Sequence, residues 1–542
     1  MNGHRRGADV LAQALARANV HNVFALSGNH IMPIFDAAQD VGIALFHTRH
    51  EGACVHMADA WARLTGEVGV ALVTGGAGLG NAIGALHTSL AGETPVVLLS
   101  GHAPLQQLGS GAFQELRQVE LAAPLVKASW MATSAAGLPA DIARACRLAR
   151  SGRPGPVHLT LPTDVVNERV YPGAIAFPDP SDFEAARSPL GAPTARLILD
   201  TLAAADRPLV IAPPALASRA GRASLGRLAD AIGVPVIAME SPRGVNDPSL
   251  GAFAEVLCQA DLIVLAGKAL DFTLGFGGPP SVDERCDWIV VDPDPALIAR
   301  AAASRKDRLL IAAVADAAST IAALTKAAGG SRGDPGWLRT VEDAIAHRLP
   351  AIPDNPTSRH PDAMCRGLLP ALQDWPDTVL VVDGGEIGQW AQAGLTAEDR
   401  LINGVAGAIG SSVPFAIAAK LARPDARALA VLGDGTMGFH LSEFDTATRY
   451  GLPFVAVVGN DARWNAEYQI QLRDYGPARA QDCLLAAETR YDLAAAALGG
   501  YGEFVRPGDD LPAAVERAFA SGKPACVNVV IEGAPAPVIR RA

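Results

Sequence analysis

Asp434 and Asp461, 27 positions apart, are the residues whose surroundings point most directly to chemistry. Asp434 stands in Gly433-Asp434-Gly435-Thr436, directly behind the apolar run 428–432, and Asp461 follows Asn460 just behind a second apolar run, 454–458. Both runs read as buried parallel strands, and 441–450 between them reads as a helix stopped by Gly451 and Pro453. The spacing therefore predicts two carboxylates at the C-terminal tips of adjacent strands, beside a helix N-terminus. Gly435 lets the backbone come close to a phosphate. Two hard oxygen ligands in that place suit a Mg²⁺ ion that bridges a diphosphate. Gly-Asp-Gly alone is an ordinary turn, so the reading rests on the helix, strand and Asn-Asp that follow it.

The elements that must position these residues run through the whole chain. At 542 residues it is too long for one core, and the alternation of short apolar strands with helical stretches is the pattern of parallel sheets covered on both faces. The first third has helix 8–18, strands 22–26, 43–46, 69–73 and 95–99, and helix 52–65. A proline-rich passage from 171 to 193 reads as a linker. Strands at 209–212, 236–239, 262–266 and 288–291 mark a second third, and strands near 379–382, 428–432, 454–458 and 526–531 a last. The expectation is an α/β protein of three doubly wound parallel-sheet domains, at 1–172, 190–330 and 355–542.

Composition narrows the function classes. Hydrophobic residues are 49% and charged residues 19%, and the net charge of −11 argues against a nucleic-acid surface, which would need a basic stripe. No apolar run reaches the roughly 20 residues that span a bilayer, and the N-terminus passes straight into an amphipathic helix without a signal-peptide core. Seven scattered cysteines have neither metal-type spacing nor the look of a disulfide framework, and read as buried thiols of a reducing cytoplasm.

In the first third, Arg49-His50-Glu51-Gly52-Ala53 lies between strand 43–46 and helix 52–65. By itself Glu51 is an acid complementing a helix N-terminus. Beside the Asp434 motif it gains weight, because together the two segments resemble those of the thiamine-diphosphate-dependent enzymes. The resemblance covers essentially the whole chain and is nearest the branch of acetolactate synthase, benzaldehyde lyase and the 2-hydroxyacyl-CoA lyase and oxalyl-CoA decarboxylase enzymes. It implies that the first third binds the pyrimidine, the last third binds diphosphate and Mg²⁺, and the middle third is a Rossmann-like spacer. It also implies a homodimer at minimum, usually a homotetramer, with each cofactor between the first third of one subunit and the last third of another.

Residue by residue, the resemblance makes Glu51 the acid that hydrogen-bonds the aminopyrimidine and so activates C2, a role suited to an apolar pocket and a raised pKa. Ile409, in Gly404-Val405-Ala406-Gly407-Ala408-Ile409-Gly410, matches the bulky residue that bends the cofactor, and Gly407 the carbonyl that accepts from its amino group. Asp383-Gly384-Gly385-Glu386 resembles the loop into the diphosphate pocket, which Gly433, Asp434, Gly435 and Thr436 complete. Asp434, Asp461 and the Arg463 backbone carbonyl fall at the metal ligands. The family commonly has Asn-Asn where this chain has Asn460-Asp461, and the extra charge is expected to be offset by Arg463 or His440.

For the substrate, His30 in Ser27-Gly28-Asn29-His30 and Gln114 in Ala112-Phe113-Gln114-Glu115 match the active-site histidine and glutamine of benzaldehyde lyase. They imply proton transfer and hydrogen bonding at a substrate alkoxide. Leu274-Gly275-Phe276-Gly277-Gly278-Pro279-Pro280 resembles a loop of the acyl-CoA enzymes, whereas Pro213-Pro214 offers few amide donors to a nucleotide. Those prolines, with Gly267-Lys268-Ala269, also argue against FAD. The reading is a C–C bond lyase or carboligase acting on a small carbonyl substrate, a 2-hydroxy carbonyl compound or 2-oxo acid. The alternatives are a 2-hydroxyacyl-CoA lyase or oxalyl-CoA decarboxylase type of enzyme and a catalytically silent cofactor-binding paralogue. A nicotinamide dehydrogenase lacks support, since no Gly-x-Gly-x-x-Gly follows the first strand.

Overall fold

The computed structural model describes residues 3–330, 333–353, 355 and 357–541. Among them are three wholly parallel sheets. The first is built of β1 (Asn22–Ala25), β2 (Ala44–His47), β3 (Gly69–Val73), β4 (Val96–His102), β5 (Ser129–Met131) and β6 (Val157–Pro162), in the order β2-β1-β3-β4-β6-β5. The second contains β7 (Pro208–Ala212), β8 (Val236–Ala238), β9 (Leu262–Ala266), β10 (Asp287–Asp292) and β11 (Leu309–Val314), ordered β8-β7-β9-β10-β11. The third contains β12 (Val379–Val382), β13 (Arg400–Ile402), β14 (Ala428–Gly433), β15 (Val455–Asn460), β16 (Tyr501–Val505) and β17 (Ala525–Val530), ordered β13-β12-β14-β15-β17-β16. The outer sheets thus share one strand order, and in each the order reverses beside its first strand. Strands β3, β4 and β6 are buried along their whole length, as expected where helices cover both faces.

By backbone packing the chain falls into two compact units that do not follow chain order. One holds residues up to 186 together with 413–424 and 442–452; the other holds 187–412, 425–441 and the remainder from 453. Segments from the last third therefore pack with the first sheet. Within that unit the Phe415 ring lies 5.4 Å beneath the Arg63 guanidinium and 5.9 Å from the His56 ring.

Strands 69–73, 262–266 and 379–382 occur as the apolar pattern predicts. The pattern passed over Ser129–Met131, Leu309–Val314, Arg400–Ile402 and Tyr501–Val505, which are edge strands. An edge strand has one neighbour and less burial, so its apolar signal is weak. Strand β6 is interior but carries the buried polar residues His158 and Thr160, which break its apolar run. The helix expected at 441–450 is present as Glu443–Tyr450, ended by Gly451, and a further short helix not expected from the sequence, Asp434–His440, precedes it with Asp434 as its first residue. Among the described residues, no helix is long and apolar enough to cross a membrane.

Candidate functional site

The candidate residues lie in two groups, one in each compact unit. In the third sheet they gather at the C-terminal ends of β12, β14 and β15, where the strand order reverses and parallel sheets leave a crevice. Asp383, directly behind β12, is fully buried. Its Oδ1 accepts the Gly384 N–H at 2.6 Å, and its Oδ2 accepts the Gly410 and Ser412 N–H groups at 2.9 Å each. A side chain thus holds the loop of Gly407 and Ile409 to the strand end. Gly407 is exposed with φ +66°, and Ile409 is half-buried. From the other side His440 Nδ1 meets the Gly410 carbonyl at 2.7 Å, tying the same loop to helix Asp434–His440.

Two glycines line this crevice because a side chain has no room. A Cβ on Gly435 would fall 2.6 Å from the Trp464 ring, and one on Gly384 (φ +104°) 3.1 Å from the Gly433 nitrogen and 3.2 Å from Thr436 Oγ1. Glu386 opens helix Glu386–Gly394. Burial pushes its carboxyl up, and the Arg243 guanidinium acts in the opposite sense.

Asp434 is 3% exposed. Its Oδ1 accepts the Gly435 N–H at 2.8 Å, and its Oδ2 is buried without a hydrogen-bond partner among the described residues. Burial pushes the Asp434 carboxyl up to about 6, against the pull of nearby backbone amides. Asp461 is pushed up to about 7, first by burial and then by the charge of Asp434, with Arg463 opposing. A buried and a half-buried carboxylate that resist joint ionisation, one oxygen unsatisfied, are what a divalent cation would relieve. No cluster of three or more His, Cys, Asp or Glu is placed to hold a metal among the described residues, so a cation here needs backbone and phosphate oxygens as well. Arg463 Nε donates to the Asp461 carbonyl at 2.9 Å, and its guanidinium lies 4.8 Å from the Tyr468 ring centre. Of the two residues expected to offset Asp461, Arg463 is the one whose charge reaches it. Ala462 between them takes φ +57°, an uncommon conformation for a residue with a side chain.

In the other unit Glu51 is the first residue of helix Glu51–Thr65 and is 9% exposed. Its Oε2 accepts from Asn81 Nδ2 at 3.0 Å. Gly78 brings the neighbouring backbone close, since a Cβ there would lie 3.4 Å from Glu51 Oε1 and 2.8 Å from Thr74 Cγ2. Thr74 Oγ1 in turn meets Nδ1 of the buried His30 at 3.1 Å. Burial, then the nearby His102, pushes the His30 pKa down, so the imidazole is held neutral. Gln114 is half-buried with φ +57°, and its carbonyl would stand 2.6 Å from a Cβ on Gly76. Glu51, His30 and Gln114 therefore all border the turn 74–78. Gln118 fastens that turn from beneath. Its Oε1 accepts the Gly76 N–H at 2.7 Å, and its Nε2 donates to Ser100 Oγ at 2.8 Å.

Asn81, Gln118 and Glu443 were not singled out from the sequence, and Asp383 was named only as part of the loop 383–386, not as the side chain that holds Gly410 and Ser412. The glycine-rich run 75–80 ending in Asn81 is a visible signal for the first. The other three work through backbone groups distant in sequence, which no local pattern encodes.

Residues 5–121 match the family described as "Thiamine pyrophosphate enzyme, N-terminal TPP binding domain", and residues 383–529 the one described as "Thiamine pyrophosphate enzyme, C-terminal TPP binding domain". A "Probable acetolactate synthase" of Mycobacterium bovis is 32% identical over 543 aligned residues, covering 96% of this chain and 95% of that protein. "2-hydroxyacyl-CoA lyase 2" is 30% identical in Homo sapiens, over 97% of this chain and 90% of that protein, and 29% identical in Danio rerio, over 97% and 92%.

Proposed function

Because the chain belongs to the thiamine pyrophosphate enzymes, of the acetolactate synthase and 2-hydroxyacyl-CoA lyase type, we propose that it is a Mg²⁺-dependent C–C bond lyase or carboligase. It makes or breaks the bond between a carbonyl carbon and a neighbouring carbinol carbon of a 2-hydroxy carbonyl compound or 2-oxo acid. The observation that carries this reading is the pair of the buried Asp434 and the half-buried Asp461 at the strand ends, opposing one another's ionisation with one Asp434 oxygen unsatisfied.

In this reading Asp434, Asp461 and the Arg463 backbone carbonyl hold Mg²⁺. Gly433, Gly435, Thr436 and Glu386 border the diphosphate, with Gly407 and Ile409 against the rings. Thiamine diphosphate, when bound, supplies an acidic carbon that can store the electron pair of a broken C–C bond. Glu51 holds a proton at the pyrimidine, steadied by Asn81. His30, neutral and fixed by Thr74, moves a proton at the substrate oxygen. Gln114 orients that oxygen without adding charge. The domains at 1–172, 190–330 and 355–542 serve as pyrimidine-binding, middle and diphosphate-binding parts of a homodimer or homotetramer.

The similarity to 2-hydroxyacyl-CoA lyase 2 and the exposed Phe272 and Phe276 of the middle third support an acyl-CoA substrate as the second reading. Against it, a Cβ on Gly267 would fall 2.5 Å from Ala317 Cβ, and the buried Lys268 ammonium is already paired with Asp271 at 2.9 Å. These contacts leave little for a nucleotide phosphate, and they weigh against FAD as well.

Holoenzyme incubated with pyruvate, benzoin or a 2-hydroxyacyl-CoA, with products read by mass, separates the readings. Turnover of the first or second supports the proposal, and turnover of the thioester alone supports the alternative. Glu51→Gln should lower kcat by on the order of 10²-fold or more at saturating cofactor. Unchanged kcat would remove Glu51 from its role.

A further inference from the structure

Strand β2 is an edge of the first sheet, paired only with β1, and the chain beyond it leads straight into Glu51. Its outward backbone groups need partners that no strand supplies. Helix Glu443–Tyr450 supplies them through side chains. Tyr450 Oη accepts the His47 N–H at 2.7 Å and donates to the Leu45 carbonyl at 3.0 Å. Arg449 Nη2 donates to the His47 carbonyl at 2.6 Å. Glu443 accepts the Arg49 N–H with Oε1 at 3.0 Å and Oε2 at 3.2 Å, and the His50 amide also favours its charged form. Thr446 Oγ1 holds Oε2 at 2.6 Å.

Glu443 is fully buried, and the hydrogen bonds just described reach it from N–H and O–H groups. A buried carboxylate is costly, and a helix packing against a sheet edge does not require one. What a carboxylate does here is collect several N–H dipoles at one point, the two residues immediately before Glu51. It thereby fixes the start of helix Glu51–Thr65, from which the Glu51 side chain reaches Asn81.

We propose that Glu443 is a positioning residue, which sets the backbone of Arg49 and His50 so that Glu51 is held at the pyrimidine in the orientation that activates the cofactor. This rests on the role of Glu51 proposed above. The bland alternative, a contact that only stabilises the fold, predicts a lower melting temperature and nothing else.

The test uses full-length Glu443→Gln, which keeps the shape and one acceptor, with Thr446→Val as a gentler second variant and Glu51→Gln as reference. Three quantities are read: backbone amide exchange of residues 45–52 in the apoprotein, the affinity for thiamine diphosphate with Mg²⁺, and deuterium exchange at C2 of the bound cofactor by quenched NMR. In Glu443→Gln, amide exchange at 49–50 should rise and C2 exchange should slow by about ten- to a hundredfold, with cofactor affinity nearly unchanged. Thr446→Val should move both in the same direction by less. C2 exchange at the wild-type rate in Glu443→Gln, while Glu51→Gln loses it, would overturn the proposal and leave the site reading intact. Wild-type exchange in Glu51→Gln would overturn both.

Discussion

Asp461 places a second formal charge where an amide could also ligate a metal. It and Asp434 oppose one another's ionisation, and Arg463 relieves only part of that. Asp461→Asn keeps an oxygen ligand and removes the repulsion. Titration with Mg²⁺ in the presence of thiamine diphosphate should therefore show binding retained, within about tenfold of wild type. Total loss of metal and cofactor binding would refute the ligand assignment. Asp434→Asn should be the more damaging change, because Asp434 is the more deeply buried and its Oδ2 already lacks a partner.

The elements of the first sheet carry a pH dependence of their own. His158, at the second position of interior strand β6, joins Ser129 Oγ (2.8 Å) and Ser100 Oγ (2.7 Å), and Ser100 continues to Gln118 and the Gly76 turn. Burial lowers the His158 pKa from its ordinary 6.5 to about 3. The folded protein thus holds this imidazole neutral while the unfolded chain takes up a proton below pH 6.5. Stability from this residue is complete above that pH and is lost as pH falls toward 3. Thermal unfolding of the apoprotein should show a midpoint falling below pH 6.5, and His158→Gln should flatten that fall. A variant with an acid profile unchanged from wild type would count against it. The interior strands of the three sheets were readable from uninterrupted apolar runs such as 69–73 and 262–266. Strand β6 was not, because a buried histidine and threonine satisfied by neighbouring side chains look polar in sequence.

For the whole molecule, the proposed assembly makes a prediction that no single chain can satisfy. If each cofactor lies between the first third of one subunit and the last third of another, Glu51→Gln and Asp434→Ala damage different halves of each site. Two inactive homo-oligomers, mixed, dissociated and reassembled in equal amounts, should regain about a quarter of wild-type activity, since half the dimers are hybrids with one intact site. No recovery, with hybrids confirmed by native mass spectrometry, would place both halves of a site in one chain.

Local patterns alone determined the α/β class and the Asp434–Asp461 spacing, because strand periodicity and turn chemistry are written in neighbouring residues, whereas the weight of Glu51 came from the family resemblance of the two segments together. Tertiary structure alone decided how these residues are supported. Asn81 reaches Glu51 across 30 positions, Asp383 holds Gly410 across 27, and Glu443 caps Arg49 across 394. A buried carboxylate or amide finds its donors by where the chain returns in space, and that return is set by the packing of whole sheets and helices rather than by any stretch of sequence around it.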